Sequence, residues 1–121
     1  MGRYVDGFVV PVPKRKLGAY KKMARRVGRI WREYGALEYV ECVADDVKWG
    51  KRTSFPRSVK MKRPSETVIF AYAVWKSRKD RDRILRESAN DPRVADIVNG
   101  RNLPFDGKRM IFGGFRAVVD M

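Results

Sequence analysis

The sequence predicts an α+β domain in which two helices cover one face of a four-stranded antiparallel sheet. The first observation behind this prediction is the order of the segments, which follow one another as β-α-β-β-α-β. The second is that two of the predicted strands are apolar on both faces, whereas a strand with one face in water alternates apolar with polar residues. The 121 residues are expected to form a single domain, 1–121.

The first strand and the first helix come from two adjacent patterns. Residues 4–12 are rich in branched and aromatic side chains, and Pro11 and Pro13 are expected to end this strand. Apolar residues then recur at spacings of three and four: Leu17, Tyr20, Ala24, Val27, Trp31 and Tyr34. This spacing predicts a helix with one apolar side, which Gly35 ends in the C′ position.

Three further strands are predicted over residues 37–44, 67–75 and 109–119, each rich in apolar and β-branched side chains. A long basic segment, 45–64, separates the second strand from the third, and it contains no acid after Asp46. We expect this segment either to be an irregular loop or to extend the flanking strands as a hairpin arm.

Two helices are predicted after the third strand. Ser77, followed three residues later by an aspartate, resembles a capping box and predicts a helix that ends near Ser88. The pair Asp91-Pro92 predicts a shorter helix, because Asp is a good N-cap and Pro fits the first helical position, and Gly100 ends it. These segments complete the ferredoxin-like order, with a helical appendix before the last strand.

The apolar faces of the third and last strands need a partner. In the third strand, residues of both parities are largely apolar: Ile69, Ala71, Ala73 and Trp75 on one face, and Val68, Phe70, Tyr72 and Val74 on the other. The last strand repeats this pattern. An exposed sheet face of this kind would be a large apolar patch on a monomer. We therefore expect a second copy of the chain to pack on it sheet to sheet, with a loop folded across the face as the alternative.

Composition limits the chemistry available to one chain. The sequence has no histidine and a single cysteine, Cys42, which excludes histidine-dependent nucleophilic catalysis and a cysteine-built metal site within the chain. We expect no metal and no cofactor. No apolar run approaches the ~20 residues of a membrane-spanning helix, and the N-terminal segment lacks the order of a secretory signal. A soluble cytoplasmic protein without membrane insertion is therefore expected.

Several separate blocks of the sequence resemble one bacterial family. The blocks are YVDGFVVPVP, GALEYVECVADDV, the SFP of residues 54–56, and PFDGKRMIFGGF. They resemble the YbaA-like family of uncharacterised bacterial proteins, and the resemblance covers nearly the whole chain. It implies a dimeric α/β-barrel of ferredoxin-like subunits, and it implies no particular activity.

Asp6 is the most suggestive single residue, because it interrupts an apolar strand. A carboxylate on a buried sheet face must be paired, hydrogen-bonded or protonated, so Asp6 is expected to hold a ligand. The alternative is that it lies at an exposed end of the strand or pairs with an arginine. The first functional hypothesis is a homodimeric barrel that binds a small organic ligand in an apolar cavity between the sheet and the helices. The predicted ligand-binding residues are Asp6, Trp31, Tyr72, Trp75 and Phe112.

The net charge leads to the alternative hypothesis. The chain carries 28 Lys and Arg against 14 Asp and Glu, a net charge of +14, which attracts polyanions. The alternative is an RNA-binding protein that uses the basic side of the first helix and the 47–64 loop, and the opposing interpretation is a solvated basic surface. The basic residues concerned are Lys22, Arg25, Arg26, Arg29, Lys51, Arg52 and Arg57.

Three smaller features are interpreted structurally. Glu38 and Glu41 point to opposite faces of their strand, which argues against an acid–base pair. The carboxylates in and after this strand are interpreted as solvated turn residues: Glu38, Glu41, Asp45 and Asp46. Cys42 is interpreted as a small buried hydrophobe. Gly113-Gly114 is interpreted as a bulge, with close backbone approach as the alternative.

Overall fold

Four antiparallel strands form the sheet of this computed structural model, which describes residues 2–121. The strands are β1 (Tyr4–Pro13), β2 (Glu38–Val43), β3 (Glu66–Trp75) and β4 (Ile111–Arg116), and they lie in the order β2-β3-β1-β4. The helices are α1 (Leu17–Tyr34), α2 (Phe55–Ser58), α3 (Arg78–Ser88) and α4 (Ala95–Val98). The predicted ferredoxin-like order is confirmed, with α2 and α4 as single turns added to it. Of the helices formed by residues 2–121, none is both long and apolar enough to cross a membrane.

The two long helices pack on one face of the sheet, which we call the helix side. The register places Asp6 of β1 opposite Ala73 of β3 and Gly114 of β4, so these three residues share that face. The buried core residues of the helix side include Tyr4, Val10, Val12, Tyr20, Ala24, Ala71, Ala73, Trp75 and Ile84. The core of the chain therefore lies between the sheet and α1 with α3.

Both long helices begin or end where the sequence predicts. The N–H of Gly35 donates to the carbonyl of Trp31, directly after the last residue of α1. Gly35 has a φ of +125°, a region that favours glycine, so a glycine is required at this helix end. At the start of α3, the Ser77 Oγ accepts a hydrogen bond of 3.1 Å from the N–H of Asp80, which is the predicted cap.

β1 runs one residue past its predicted end and contains both of its prolines. Just beyond the last pair of β1 and β3, the N–H of Lys14 donates to the carbonyl of Ser65. The backbone groups of the even-numbered residues of β1 therefore point towards β3. Pro11 and Pro13 are odd-numbered, so their backbone nitrogens point towards the β4 side of β1. Pairing with β4 already ends at Val9 within the described residues, so the missing proline N–H groups leave no ladder bond unmade.

β4 is shorter than the predicted strand over residues 109–119. Before it, Gly107–Arg109 form a 3₁₀ turn, because the Asp106 Oδ1 accepts a hydrogen bond of 3.0 Å from the N–H of Lys108. After it, one further bond joins the N–H of Ala117 to the carbonyl of Arg3, and the strand then ends. The predicted boundaries are therefore wrong at both ends.

The glycine pair in β4 is not a bulge. Pairing of β4 with β1 runs through Gly113 and Gly114 without a break in register, so that prediction is wrong. The alternative of close approach applies at Gly114, where a Cβ atom would lie 2.5 Å from the Tyr4 hydroxyl oxygen and 2.5 Å from Nη2 of Arg81. No larger residue fits there without moving one of these side chains.

The short helix after Asp91 begins later than predicted. α4 spans Ala95–Val98, and its N-cap is Val94 rather than Asp91. The Asp91 carboxylate instead accepts from the backbone N–H of Arg93 at 2.9 Å and from its guanidinium, so it closes a turn ahead of the helix. Gly100 follows the helix with a φ of +71°, in agreement with the predicted stop.

The basic 45–64 segment forms a loop with one helical turn, α2, and not a hairpin arm. The ladder of β2 and β3 ends with a bond from the N–H of Ala44 to the carbonyl of Val68. Within the loop, the guanidinium carbons of Arg57 and Arg63 lie 4.8 and 3.8 Å from the centroid of the Trp49 ring. Stacking of two cations on one indole gives this irregular segment a local packing centre.

The end of the loop is fixed by a buried ion pair. The Arg109 Nη2 lies 2.7 Å from Oε2 of Glu66, and its Nη1 donates to Oε1 at 2.8 Å. These hydrogen bonds hold the pKa of the Glu66 carboxyl below its usual range. The Glu66 Oε1 also accepts from the N–H of Lys62 at 2.7 Å, so the pair joins the loop, β3 and the turn before β4.

The face of the sheet opposite the helices is apolar, and we call it the bare face. It is uncovered around Phe70 and β4, whereas Val68 and Val74 towards the two ends of β3 are buried. Its main side chains are Val5, Val9, Phe70, Tyr72, Ile111 and Phe115. Phe115 is 65% exposed and Phe70 42%. α2 reaches only one corner, where the Phe55 ring stacks on Phe70 with centroids 5.9 Å apart. Cys42 also lies on this face and is exposed, so its interpretation as a buried hydrophobe is wrong for the single chain.

Gly28 of α1 is predicted to be essential for the packing of the helix on β2. A Cβ atom at Gly28 would lie 2.4 Å from Cδ2 of Tyr39, whereas a Cβ at Gly18 of the same helix would have no atom within 4 Å. We expect Gly28→Ala to lower the free energy of unfolding by about 1–3 kcal/mol through overpacking. Gly18→Ala should raise it by up to about 1 kcal/mol through helix propensity. Urea denaturation of both variants measures the difference, and equal stabilisation by the two alanines would contradict the packing role.

Candidate functional site

The Asp6 carboxylate is fully engaged by side chains of the protein. It is 4% exposed, and its Oδ2 accepts hydrogen bonds from Nε1 of Trp75 at 2.7 Å and from Nε of Arg81 at 2.9 Å. Its Oδ1 accepts from Nη2 of Arg81, also at 2.9 Å. The arginine-paired alternative for Asp6 is thus the one that the structure contains. The bidentate pair with Arg81 and the hydrogen bond from the Trp75 indole use both oxygens of the carboxylate.

This buried pair connects three elements of the fold. Asp6 lies on β1, Trp75 ends β3 and Arg81 lies in the first turns of α3. The bonds to Asp6 raise the pKa of Arg81 above its usual range, so the guanidinium remains charged. The same guanidinium lies 5.1 Å from the centroid of the Tyr4 ring. The arrangement is suited to holding α3 on the sheet.

The other predicted ligand-binding residues divide between the two faces of the sheet. Trp31 and Trp75 are in contact on the helix side, with ring centroids 5.4 Å apart. Phe112 is on the same side, where its ring stacks on Phe8 at 6.4 Å. Tyr72 lies on the bare face, opposite Gly7, so the structure does not bring it to the other four.

A second carboxylate, Glu41, lies in an open cleft with two tyrosines. The cleft separates α1 from the edge strand β2 and has a volume of about 480 Å³. Oε1 of Glu41 accepts a hydrogen bond of 2.7 Å from the hydroxyl of Tyr20, and Oε2 accepts one from the hydroxyl of Tyr39. We call this the Glu41 cleft, and the residues that line it are Leu17, Tyr20, Lys21, Ala24, Arg25, Gly28, Arg29, Arg32, Tyr39, Glu41, Val43 and Ile69.

The environment shifts the pKa of all three groups upward. Burial raises the pKa of the Glu41 carboxyl, and the two tyrosine hydrogen bonds act against that rise. Burial and the adjacent Glu41 charge raise the pKa of Tyr20 and of Tyr39, so both phenols stay protonated and donate. The rim is basic, whereas no cation forms an ion pair with Glu41 within residues 2–121.

The sequence reasoning missed this site. The parity argument was sound, because Glu38 faces the bare side near Arg3 and Glu41 faces the helix side. The interpretation of Glu41 as a solvated turn residue is wrong, because it is partly buried beneath α1, whereas Asp45 and Asp46 are exposed as predicted. The available signal was the shared parity of residues 39 and 41, which places a phenol and a carboxylate side by side on one face.

The basic residues named for RNA binding belong to two separate elements, α1 and the 47–64 loop. Those of the first helix lie on the helix side of the sheet, whereas α2 of the loop packs by Phe55 against Phe70 on the bare face. Arg57 is used within the loop, where its Nε donates to the carbonyls of Trp49 and Gly50 at 3.1 and 3.0 Å. The site geometry therefore adds no support to the RNA hypothesis.

Removal of the Asp6 carboxylate is expected to be costly, because it leaves a partly buried cation without its partner. We expect Asp6→Ala to lower the free energy of unfolding by about 3–5 kcal/mol. Asp82 is a matched control, because its carboxylate also lies 2.7 Å from Arg81 but is 48% exposed. Asp82→Ala should cost no more than about 1 kcal/mol. Similar losses for both variants in urea denaturation would show that burial of the pair is not what matters.

Comparison with known proteins agrees with the resemblance seen in the sequence. Residues 3–107 match the family model DUF1428, described as a protein of unknown function. The chain is 44% identical over 118 residues, which cover 98% of each chain, to the uncharacterised protein YbaA of Escherichia coli strain K12 and equally to that of Shigella flexneri. The crystal structure of SnoaB, a cofactor-independent oxygenase from Streptomyces nogalater, matches this chain with a TM-score of 0.62. The match covers 100% of this chain and 98% of that one, but the sequences are only 13% identical, so this likeness shows the fold alone. The chain therefore belongs to the DUF1428 family, together with YbaA.

Proposed function

We propose that this chain is one subunit of a homodimeric barrel that binds a small organic ligand in the Glu41 cleft. The observation that carries the proposal is the Glu41 carboxylate, which accepts hydrogen bonds from the hydroxyls of Tyr20 and Tyr39 in an open cleft of about 480 Å³. A concave site of this size with a few convergent polar groups is typical of small-molecule binding.

The chemistry of the cleft defines the class of ligand. A carboxylate has about four acceptor positions, so Glu41 retains acceptor capacity beyond the two phenols and binds a hydroxyl or N–H group. The walls contributed by Leu17, Ala24 and Ile69 are apolar. Arginines at the rim, including Arg25 and Arg29, attract a negative group at the other end of the ligand. A hydroxylated aromatic acid has all three properties.

The protonation state of Glu41 makes proton transfer part of the proposal. A carboxyl group whose pKa is raised by burial is a better proton acceptor near neutral pH than an exposed one. SnoaB, which shares the fold, is described as a cofactor-independent oxygenase, so one protein with this fold carries out its chemistry without a cofactor. These two points support Glu41 as the group that accepts a proton from the bound hydroxyl.

The ligand proposal is tested with a panel of hydroxybenzoic and hydroxycinnamic acids in a thermal-shift assay. At least one compound should raise the melting temperature by mass action. Glu41→Gln should weaken its binding by about tenfold to a hundredfold, because a hydrogen bond to a charged group contributes about 1.5–3 kcal/mol. Glu38→Gln is the matched control on the opposite face of β2 and should bind within about twofold of the wild type. No stabilisation by any compound, or equal losses in the two variants, would refute the Glu41 cleft as the site.

The homodimer in the proposal rests on the bare face. Apolar side chains of β1, β3 and β4 cover this face, and Ile111 and Phe115 at its edge are 46% and 65% exposed. α2 reaches only the Phe70 corner, which argues against the loop as the cover. The chain carries a net charge of +14, yet the one charged side chain that these three strands contribute to the bare face, Glu66, is paired with Arg109. A second copy that packs sheet to sheet buries the apolar face without bringing like charges together there.

The dimer proposal is tested by two lysine substitutions on the same strand. Phe115 and Phe112 are equally exposed, at 65% and 67%, but Phe115 lies on the bare face and Phe112 on the helix side. We expect the wild type and Phe112→Lys to sediment as dimers at micromolar concentration and Phe115→Lys to sediment as a monomer, because the lysine places a charge in the apolar interface. A monomeric wild type, or a monomeric Phe112→Lys with a dimeric Phe115→Lys, contradicts the proposed interface.

A further inference from the structure

We propose a second binding site, which takes the phosphate group of a small organic phosphate. It is the cleft between α1 and the segment that follows α4, with a volume of about 470 Å³, and we call it the arginine cleft. The residues that line it are Ala19, Lys22, Met23, Arg25, Arg26, Arg29, Asp96, Ile97, Arg101, Asn102, Leu103 and Pro104. It opens on the flank of α1 away from β2, so it is separate from the Glu41 cleft.

The arginine cleft has a strong excess of positive charge. Its lining contains five basic side chains and one carboxylate, that of Asp96. Of the five, only Arg26 has a carboxylate partner among residues 2–121, because its Nη2 lies 3.2 Å from Oδ2 of Asp96. By contrast, Arg81 and Arg109 elsewhere in the chain are paired with carboxylates at 2.9 and 2.7 Å. Four cations that face one cleft without counter-charges form a site for an anion.

One ion pair and one backbone hydrogen bond are found among the groups around the arginine cleft. The Arg26–Asp96 pair joins α1 to α4 across the cleft. On the far wall, the N–H of Arg101 donates to the carbonyl of Asp96 at 3.0 Å, directly after Gly100, whose φ of +71° permits the turn. Arg101 lines the arginine cleft together with Lys22 and the α1 arginines. The remaining guanidinium and ammonium groups are left to bind a ligand.

The shape and the floor of the cleft favour a small phosphate compound over a polymer. A phosphate group accepts several charge-assisted hydrogen bonds at once, and arginine forks match its geometry. Met23, Ile97 and Leu103 give the floor an apolar part, which suits the organic part of a small molecule. Phosphates of a nucleic-acid backbone share the anion chemistry, so the experiment has to distinguish the two sources.

The test uses inorganic pyrophosphate and adenosine monophosphate as probes, by calorimetric titration of the full chain in 150 mM NaCl. Arg25 and Arg29 line both clefts, so the test variant is Lys22→Ala with Arg101→Ala, two residues that line only the arginine cleft. The matched control is Lys51→Ala with Arg52→Ala, which removes the same charge from the exposed loop. We expect saturable binding of one probe per chain, weakened about tenfold or more in the test variant and less than twofold in the control.

A measurement on the unaltered protein guards against a folding defect in the variant. Titration of isotopically labelled wild type with pyrophosphate should shift the amide resonances of residues 96–103 at lower concentrations than those of the 47–64 loop. A short RNA oligonucleotide is titrated in the same way for comparison. Three outcomes overturn the proposal: no saturable binding of either probe, equal losses in the test and control variants, or binding of the oligonucleotide when neither probe binds. The last outcome would assign the charge to a polymer, as in the RNA hypothesis.

Discussion

The rest of the structure depends on how a single buried carboxylate is satisfied. Asp6 lies in the middle of an apolar sheet, where an unpaired charge would be prohibitively costly. Its two oxygens are satisfied by Trp75 at the end of β3 and by Arg81 on α3, so the carboxylate fixes where that helix starts relative to the sheet. The guanidinium in turn needs room beside Tyr4, and that room exists because position 114 is a glycine. Four elements are therefore set by one group.

Glu41 shows how a different set of neighbours gives the same chemical group another character. Asp6 is bonded to a permanent cation and to an indole, which leaves both of its oxygens occupied. Glu41 is bonded to two neutral phenols in an open cleft and has no ion-pair partner among the described residues, and burial raises the pKa of its carboxyl. The first arrangement suits a structural role, and the second suits a group that exchanges a proton or binds a ligand. Sequence position did not distinguish them, because both carboxylates lie within strands.

The parts of the fold that could be predicted are those governed by local chemistry. The end of α1 at Gly35 and the start of α3 at Ser77 follow from residues within one turn of the boundary. The length of β4 could not be predicted from the apolar residues beyond Arg116. β4 ends at Arg116 because its partner strand β1 begins at Tyr4, which pairs with Arg116. The partner of Asp6 lies 75 positions away, and the Glu41 cleft needs α1 and β2 already docked, which Gly28 permits by lacking a side chain. Candidate residues could be named from the sequence, but their grouping required the tertiary structure.

Arg25 and Arg29 belong to the lining of both clefts, and this shared ridge has a thermodynamic consequence. An anion in the arginine cleft draws on two guanidinium groups that also set the electrostatic potential at the rim of the Glu41 cleft. Two negatively charged ligands, one in each cleft, would therefore lower each other's affinity through these shared arginines without touching each other. Linkage requires that such a penalty be equal in both directions, so each ligand would weaken the other by the same factor. Helix α1 would then couple the two clefts, and binding of the two ligands would be negatively cooperative within one subunit.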